Sequence, residues 1–262
     1  MNRQYRRGPP SKGSAARFLA GACLTLLFAP EPSRAGVDRW TLATPPAEVV
    51  FMAMGGGVLY ATTLGGFYRS TDIGQSWALI GNPPPPHSVV IDLFAVDPWT
   101  PSILYGNRSG PNGGVFESLD GGLTWLPSGT GLPQYALATF AIDPRDTSRI
   151  FAGVQSGFGS GIYFSANAGA SWSLIPSGAT NVTSILIDPT DSSRIYAIGD
   201  ILPLRWAVII SADGGQTWTA ASGIPNGPFY GALVVDPTQP SDVYLSDRCC
   251  GSIRKSTNFG AS

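Results

Sequence analysis

One eight-residue pattern, S-x-D-x-G-x-x-W, recurs along this chain and constrains its fold more than any other feature. It occurs as STDIGQSW (70–77), SLDGGLTW (118–125) and SADGGQTW (211–218), and as SANAGASW (165–172) with Asn167 in place of Asp. A fifth copy, STNFGAS (256–262), carries Asn258 and reaches Ser262 without a Trp. The Asp or Asn positions 72, 120, 167, 213 and 258 are separated by 48, 47, 46 and 45 residues. A second marker keeps step with the first: FAVDP (94–98), FAIDP (140–144), ILIDP (185–189) and LVVDP (233–237), each followed by an aliphatic-aromatic run such as RIFAG (149–153). A repeat of this length is one supersecondary unit that buries its apolar faces only by stacking on its neighbours. Each unit reads as an apolar strand, an Asp-Pro turn, a second strand, a variable loop, a third strand, the box and a short fourth strand led by Trp. That is the plan of a propeller blade, so the expected fold is all-β: a β-propeller of about five four-stranded antiparallel blades. The blades are expected at 48–82, 90–131, 138–178, 184–224 and 232–262.

The box residues suit a turn between the third and fourth strands. The carboxylates of Asp72, Asp120 and Asp213 accept backbone N–H groups across such a turn, and the following Gly supplies a backbone with φ > 0. Asn167 and Asn258 keep an acceptor oxygen without the charge, which fits a turn better than acid–base work. Trp77, Trp125, Trp172 and Trp218 are expected to bury large rings between blades. Asp97, Asp143, Asp188 and Asp236 each precede a Pro and read as turn initiators.

These residues carry a resemblance. The boxes look like the Asp-boxes, or BNR repeats, of sialidases, sortilin-type receptors, xyloglucan-degrading glycosidases and photosystem II assembly factors. Combined with the Asp-Pro marker, they most resemble the secreted bacterial propellers of the WD40/YVTN/BNR-like group. The resemblance covers about residues 38–262 and implies the fold; because the box recurs in enzymes, receptors and scaffolds, it does not choose among functions.

The N-terminus speaks to compartment. Arg3, Arg6, Arg7, Lys12 and Arg17 precede the apolar run FLAGACLTLLFAP (18–30), and Ser33-Arg34-Ala35 places small residues at −3 and −1 of a cut after Ala35. This is the layout of a secretory signal peptide over 1–35, with an apolar run too short for a membrane span. Its removal takes six of the 16 Lys and Arg and one of the 17 Asp and Glu, leaving 10 against 16 in the propeller domain of 36–262. An acidic domain has no electrostatic pull toward nucleic acid or anionic lipid, and the expected location is periplasmic, extracellular or cell-surface. The 227 residues after the cut hold just under five repeat steps. Residues 37–46, with Trp40, read as a Trp-led fourth strand that would complete the last blade and close the ring; an incomplete ring is the alternative.

Function is expected on the face opposite the boxes, where the variable loops emerge. They carry Arg108, Tyr135, Phe158, Arg205, Trp206, Phe229, Tyr230 and Arg248, side chains suited to a protein, peptide or glycan partner. Cys249 and Cys250 are candidates for a vicinal disulfide, with free thiols or an intermolecular bridge as alternatives. No cofactor or metal is expected: His87 is the only histidine, and neither a Walker loop nor a dinucleotide fingerprint occurs. A sialidase would require an F/Y-R-I-P motif and a Tyr paired with Glu; Arg39 lies in DRWT and no such pair is assignable. The expected function is an exported, non-catalytic binding or scaffolding protein. The alternative is a carbohydrate-active glycoside hydrolase, sialidase-like or xyloglucanase-like, whose carboxylates would be Asp200 and Asp247.

Overall fold

The structure, a computed structural model, describes residues 49–63, 66–81, 91–108, 114–133, 137–155, 159–201, 203–224, 230–247 and 251–262. They form nineteen strands in five antiparallel sheets. The first sheet is β1 (Val49–Gly55), β2 (Val58–Thr63), β3 (Gly66–Ser70) and β4 (Ala78–Gly81). The second is β5 (Ile91–Val96), β6 (Leu104–Arg108), β7 (Gly114–Ser118) and β8 (Leu126–Pro127). The third is β9 (Leu137–Ile142), β10 (Ile150–Val154), β11 (Gly161–Ser165) and β12 (Ser173–Leu174). The fourth is β13 (Thr180–Asp188), β14 (Asp191–Ile201), β15 (Leu204–Ser211) and β16 (Thr219–Ala220). The fifth contributes β17 (Tyr230–Val235), β18 (Val243–Asp247) and β19 (Ile253–Ser256) among the described residues. Each sheet runs in sequence order from inner to outer strand, and successive inner strands, β1 through β17, lie against one another, so the sheets are the five blades of a β-propeller. The leader 1–35 and the closing strand expected over 37–46 lie outside the described residues.

Strands buried on both faces explain the apolar runs. On β10, Ile150, Ala152 and Val154 face the second sheet with Tyr105 and Val115, while Phe151 faces the fourth with Ile185 and Ile195. On β14, Ile195 and Ala197 face the third sheet, and Tyr196 and Ile198 face the fifth with Leu233 and Val243. Side-chain direction alternates along a strand, so each strand feeds two interfaces. Each such buried aliphatic contributes roughly 1.5–3 kcal/mol. The core is therefore a series of inter-blade layers, which leaves little room for charge within the strands.

The box Trp residues enter these layers. Trp125 joins the first and second sheets beside Phe67, Trp172 the second and third beside Phe140, and Trp218 the third and fourth. In the second to fifth blades the box is tied to the Asp-Pro turn: the N–H groups of Gly121, Ala168, Gly214 and Phe259 donate to the carbonyls of Ser102, Ser148, Ser193 and Ser241.

Candidate functional site

At the box end, the polar groups are consumed by their own turns. Ser118 Oγ donates to Asp120 Oδ1 at 2.8 Å and accepts the Gly122 N–H at 2.8 Å. Asp120 in turn accepts the Thr124 N–H at 2.9 Å and the Thr124 hydroxyl at 2.6 Å. The same circuit joins Asp72 to Ser70 and Ser76, and Asp213 to Ser211 and Thr217. These hydroxyl and backbone donors hold Asp72, Asp120 and Asp213 down at about 2, the Ser76, Thr124 and Thr217 hydroxyls acting most strongly. A general acid at neutral pH needs the opposite displacement. In the Asn boxes the amide nitrogens of Asn167 and Asn258 donate to Ser171 and Ser262 at 2.9 and 2.7 Å. The hydroxyl at the seventh box position, present in all five copies, was readable in the sequence and absent from the pattern drawn from it.

The Asp-Pro carboxylates are similarly occupied. Asp97 accepts the N–H groups of Trp99 and Thr100 at 2.8 Å; Asp143 accepts the Arg145 N–H and the Ser192 hydroxyl and faces Arg149 at 3.3 Å. Asp188 pairs with Arg194 at 3.0 Å. Trp99, 73% exposed, and Arg145 each reach one blade further, Trp99 Nε1 donating to the Pro144 carbonyl at 2.7 Å and Arg145 to that of Thr190.

The opposite end holds a different arrangement. Asp200, near the end of β14, pairs in register with Thr180, and its Oδ1 accepts the Trp206 N–H at 2.8 Å. Its Oδ2 accepts the Asn181 side-chain N–H at 3.2 Å. Both partners have left-handed backbones, with φ of 56° at Trp206 and 51° at Asn181, and the register shifts beside both. Such bulges and strained residues concentrate at sites where a side chain must be aimed. Trp206 is half-buried against the layer between the fourth and fifth sheets, which also contains Tyr230. Tyr230 stands opposite Asp247 in register; burial raises its hydroxyl, with Arg254 opposing and Asp247 reinforcing the rise. Asp247 is only 6% exposed and its N–H donates to the Ser252 carbonyl at 2.9 Å. Thus Asp200, Trp206, Tyr230 and Asp247 lie at the loop-side ends of two neighbouring blades. Arg205 is exposed beside Trp206, and Arg108 lies on the second sheet opposite Ile91. Tyr135, Phe158, Phe229, Arg248, Cys249, Cys250 and His87 lie outside the described residues.

A further acidic residue, Asp92, stands in register with Asn107 near the loop-side start of β5; it lies inside the apolar run IDLFAV, where no loop pattern marks it. A Tyr–Glu contact does occur, Tyr105 Oη lying 3.2 Å from Glu117 Oε1, but Tyr105 is fully buried one layer from the box and also donates to the Ala168 carbonyl. Burial, then Glu117, push this phenol above its ordinary range, and at 1% exposure it is part of the core between blades rather than a surface nucleophile. Among the described residues, no group of three or more His, Cys, Asp or Glu is placed to hold a metal, and no helix is long and apolar enough to cross a membrane.

Blades stacked through box-borne Trp residues define a BNR-type β-propeller. The BNR/Asp-box repeat family matches residues 209–220, the box of the fourth blade. A xyloglucanase of Paenibacillus sp is 27% identical over 240 residues, covering 72% of this chain and 22% of the relative. A xyloglucanase of Hypocrea jecorina (strain QM6a) is 27% identical over 245 residues, covering 76% and 28%. The chain therefore spans about a quarter of the length of these relatives. Among solved structures, the GH74 xyloglucanase from Xanthomonas campestris superposes with a TM-score of 0.60 at 20% identity, over 79% of this chain and 36% of that one. An ancestral GH74 enzyme gives 0.54 at 24% identity, over 69% and 24%. Similarity to named xyloglucanases across most of the chain overturns the expectation of a non-catalytic binding or scaffolding role and favours the hydrolase alternative.

Proposed function

We infer that this chain is an exported propeller unit of a glycoside hydrolase of the xyloglucanase type, acting on a β-linked glucan chain. The observation that carries this reading is the match to two xyloglucanases over about three quarters of the chain. Export is supported by the basic leader, the apolar run and the Ser33-Arg34-Ala35 cut. Hydrolysis of a glycosidic bond needs one carboxyl group to protonate the leaving oxygen and a second to act as base or nucleophile. The box and Asp-Pro acids are committed to turns on the other end, so the reacting carboxylates belong to the loop-side pair of Asp200 and Asp247. Of the two, Asp200 is half-buried and Asp247 is buried. The residues of that face include Arg205, exposed, and Trp206, half-buried, residue types suited to a sugar chain through polar groups at its hydroxyls and rings at its apolar faces.

The test is release of reducing ends from xyloglucan by the full chain, with amylose as the α-linked control. Release from xyloglucan alone is expected, with loss in Asp200→Asn or Asp247→Asn. No release from xyloglucan by the intact protein would refute the assignment.

A further inference from the structure

We propose that Glu117, Tyr105 and the Ala168 carbonyl form a proton-operated tie between the second and third blades, made in full when the Glu117 carboxyl is protonated and loosened when it ionises. The Tyr105 hydroxyl is buried, the residue only 1% exposed, and lies 3.2 Å from Glu117 Oε1 and 3.0 Å from the carbonyl of Ala168, in the box of the third blade. A phenol has one proton to give, and an ionised carboxylate only accepts. With Glu117 ionised, both neighbours of the hydroxyl are acceptors, and the charged one draws the proton more strongly. The Ala168 carbonyl then loses the donor that reaches it across the layer. With Glu117 protonated, its own O–H donates to Tyr105 Oη and the phenolic proton goes to Ala168, so both contacts are made.

The repeat supplies its own comparison. Tyr105 stands opposite Glu117 in register, and the same two positions hold Tyr60 and Arg69 in the first blade, Phe151 and Phe164 in the third, Tyr196 and Ile210 in the fourth, and Tyr244 and Lys255 in the fifth. Of these five pairs only that of the second blade includes an acid. Tyr60 donates to the Pro101 carbonyl at 2.8 Å beside Arg69, which has no acceptor to compete, so the tie from the first blade to the second needs no added proton. Around Glu117, β8 places Leu126 opposite it, and the third blade brings Phe140, stacked on Tyr105 at 6.0 Å, with Trp172 and the Asn167 box. Asp97 adds negative charge at the phenol, and Asp120, three residues on from Glu117, is occupied by Ser118 and Thr124. Burial raises the Glu117 carboxyl above its ordinary 4.5, with the Tyr105 bond opposing, while the phenol is held above its own ordinary range and keeps its proton. A carboxyl raised on folding stabilises in full below 4.5, and that contribution is lost as pH rises through the raised value. This is the reverse of the box carboxylates, whose bonds need the ionised form.

The two ends of the tie can be read separately in the full chain, whose only Glu residues are Glu31, Glu48 and Glu117. Carbon-13 NMR of the Glu carboxyls is expected to place the Glu117 midpoint above those of Glu31 and Glu48. The carbonyl shift of Ala168, read through the Gly169 amide, is expected to move with that same midpoint, and to stay constant with pH in Tyr105→Phe. The Pro101 carbonyl, read through the Ser102 amide, is expected to stay constant in both. Glu117→Gln carries an amide that donates to Tyr105 at every pH, so its Tm is expected to match the native Tm below 4.5 and to exceed it by about 2–4 °C at neutral pH. A Glu117 midpoint level with the other two, an Ala168 carbonyl that does not follow it, or a Pro101 carbonyl that moves in step with Ala168 would each overturn the tie. Parallel Tm curves for the native chain and Glu117→Gln would overturn it as well.

Discussion

Substituting Ala for Gly at the fourth and fifth box positions separates two reasons for glycine that the sequence presents as one. At the fourth position the residues are Ile73, Gly121, Ala168, Gly214 and Phe259, all left-handed, with the three non-glycines at φ of 54° to 59°. At the fifth position the residue is always Gly. A Cβ on Gly215 would stand 2.9 Å from Phe151 Cε1, a ring of the preceding blade that has no exposure and no space to retreat. At Gly214 the nearest atom to the Cβ would be Nη2 of Arg149, at 3.0 Å, the far end of a flexible side chain that can give by a few tenths of an ångström while keeping its pair with Asp143. Gly214→Ala therefore carries the left-handed backbone cost alone, about 1 kcal/mol. Gly215→Ala adds overpacking against Phe151, for a total of about 3–4 kcal/mol. In a domain of this size 1 kcal/mol moves Tm by about 2–4 °C, so the expected losses are about 2–4 °C and about 6–16 °C. Differential scanning calorimetry of the two variants at equal concentration measures both. Equal losses would show that backbone conformation alone selects glycine, and that the ring contact between blades contributes nothing.

Three further outcomes are expected. Ile73 is a β-branched residue at φ 57° with 79% of its surface exposed, so Ile73→Gly relieves strain without losing burial and raises stability by about 0.5–1 kcal/mol, read from urea unfolding. Trp172 Nε1 donates to the Ser128 and Gly169 carbonyls at 2.9 Å, whereas the buried Nε1 of Trp77 meets no acceptor among the described residues; Trp172→Phe should cost about 1–3 kcal/mol more than Trp77→Phe in the same assay. The box carboxylates are held from 3.8 down to about 2 in the folded chain, so their contribution is complete above pH 4 and disappears as pH falls from about 4 to about 2. Acid unfolding of the Asp72→Asn, Asp120→Asn, Asp213→Asn triple variant should show a shallower decline in that window, and an unchanged slope would contradict the assignment.

The fold was legible because box and Asp-Pro marker recur in phase, and because strands buried on both faces must be apolar throughout. The site was less so. Asp200 and Trp206 stand close in the sequence, but Asn181 joins them from a neighbouring strand through a register shift that no local pattern announces. Asp92 is disguised by the apolar strand around it. Function was misjudged for a physical reason: the box is a turn with every polar group satisfied internally, so it carries the same residues whether the opposite face binds, transports or cleaves.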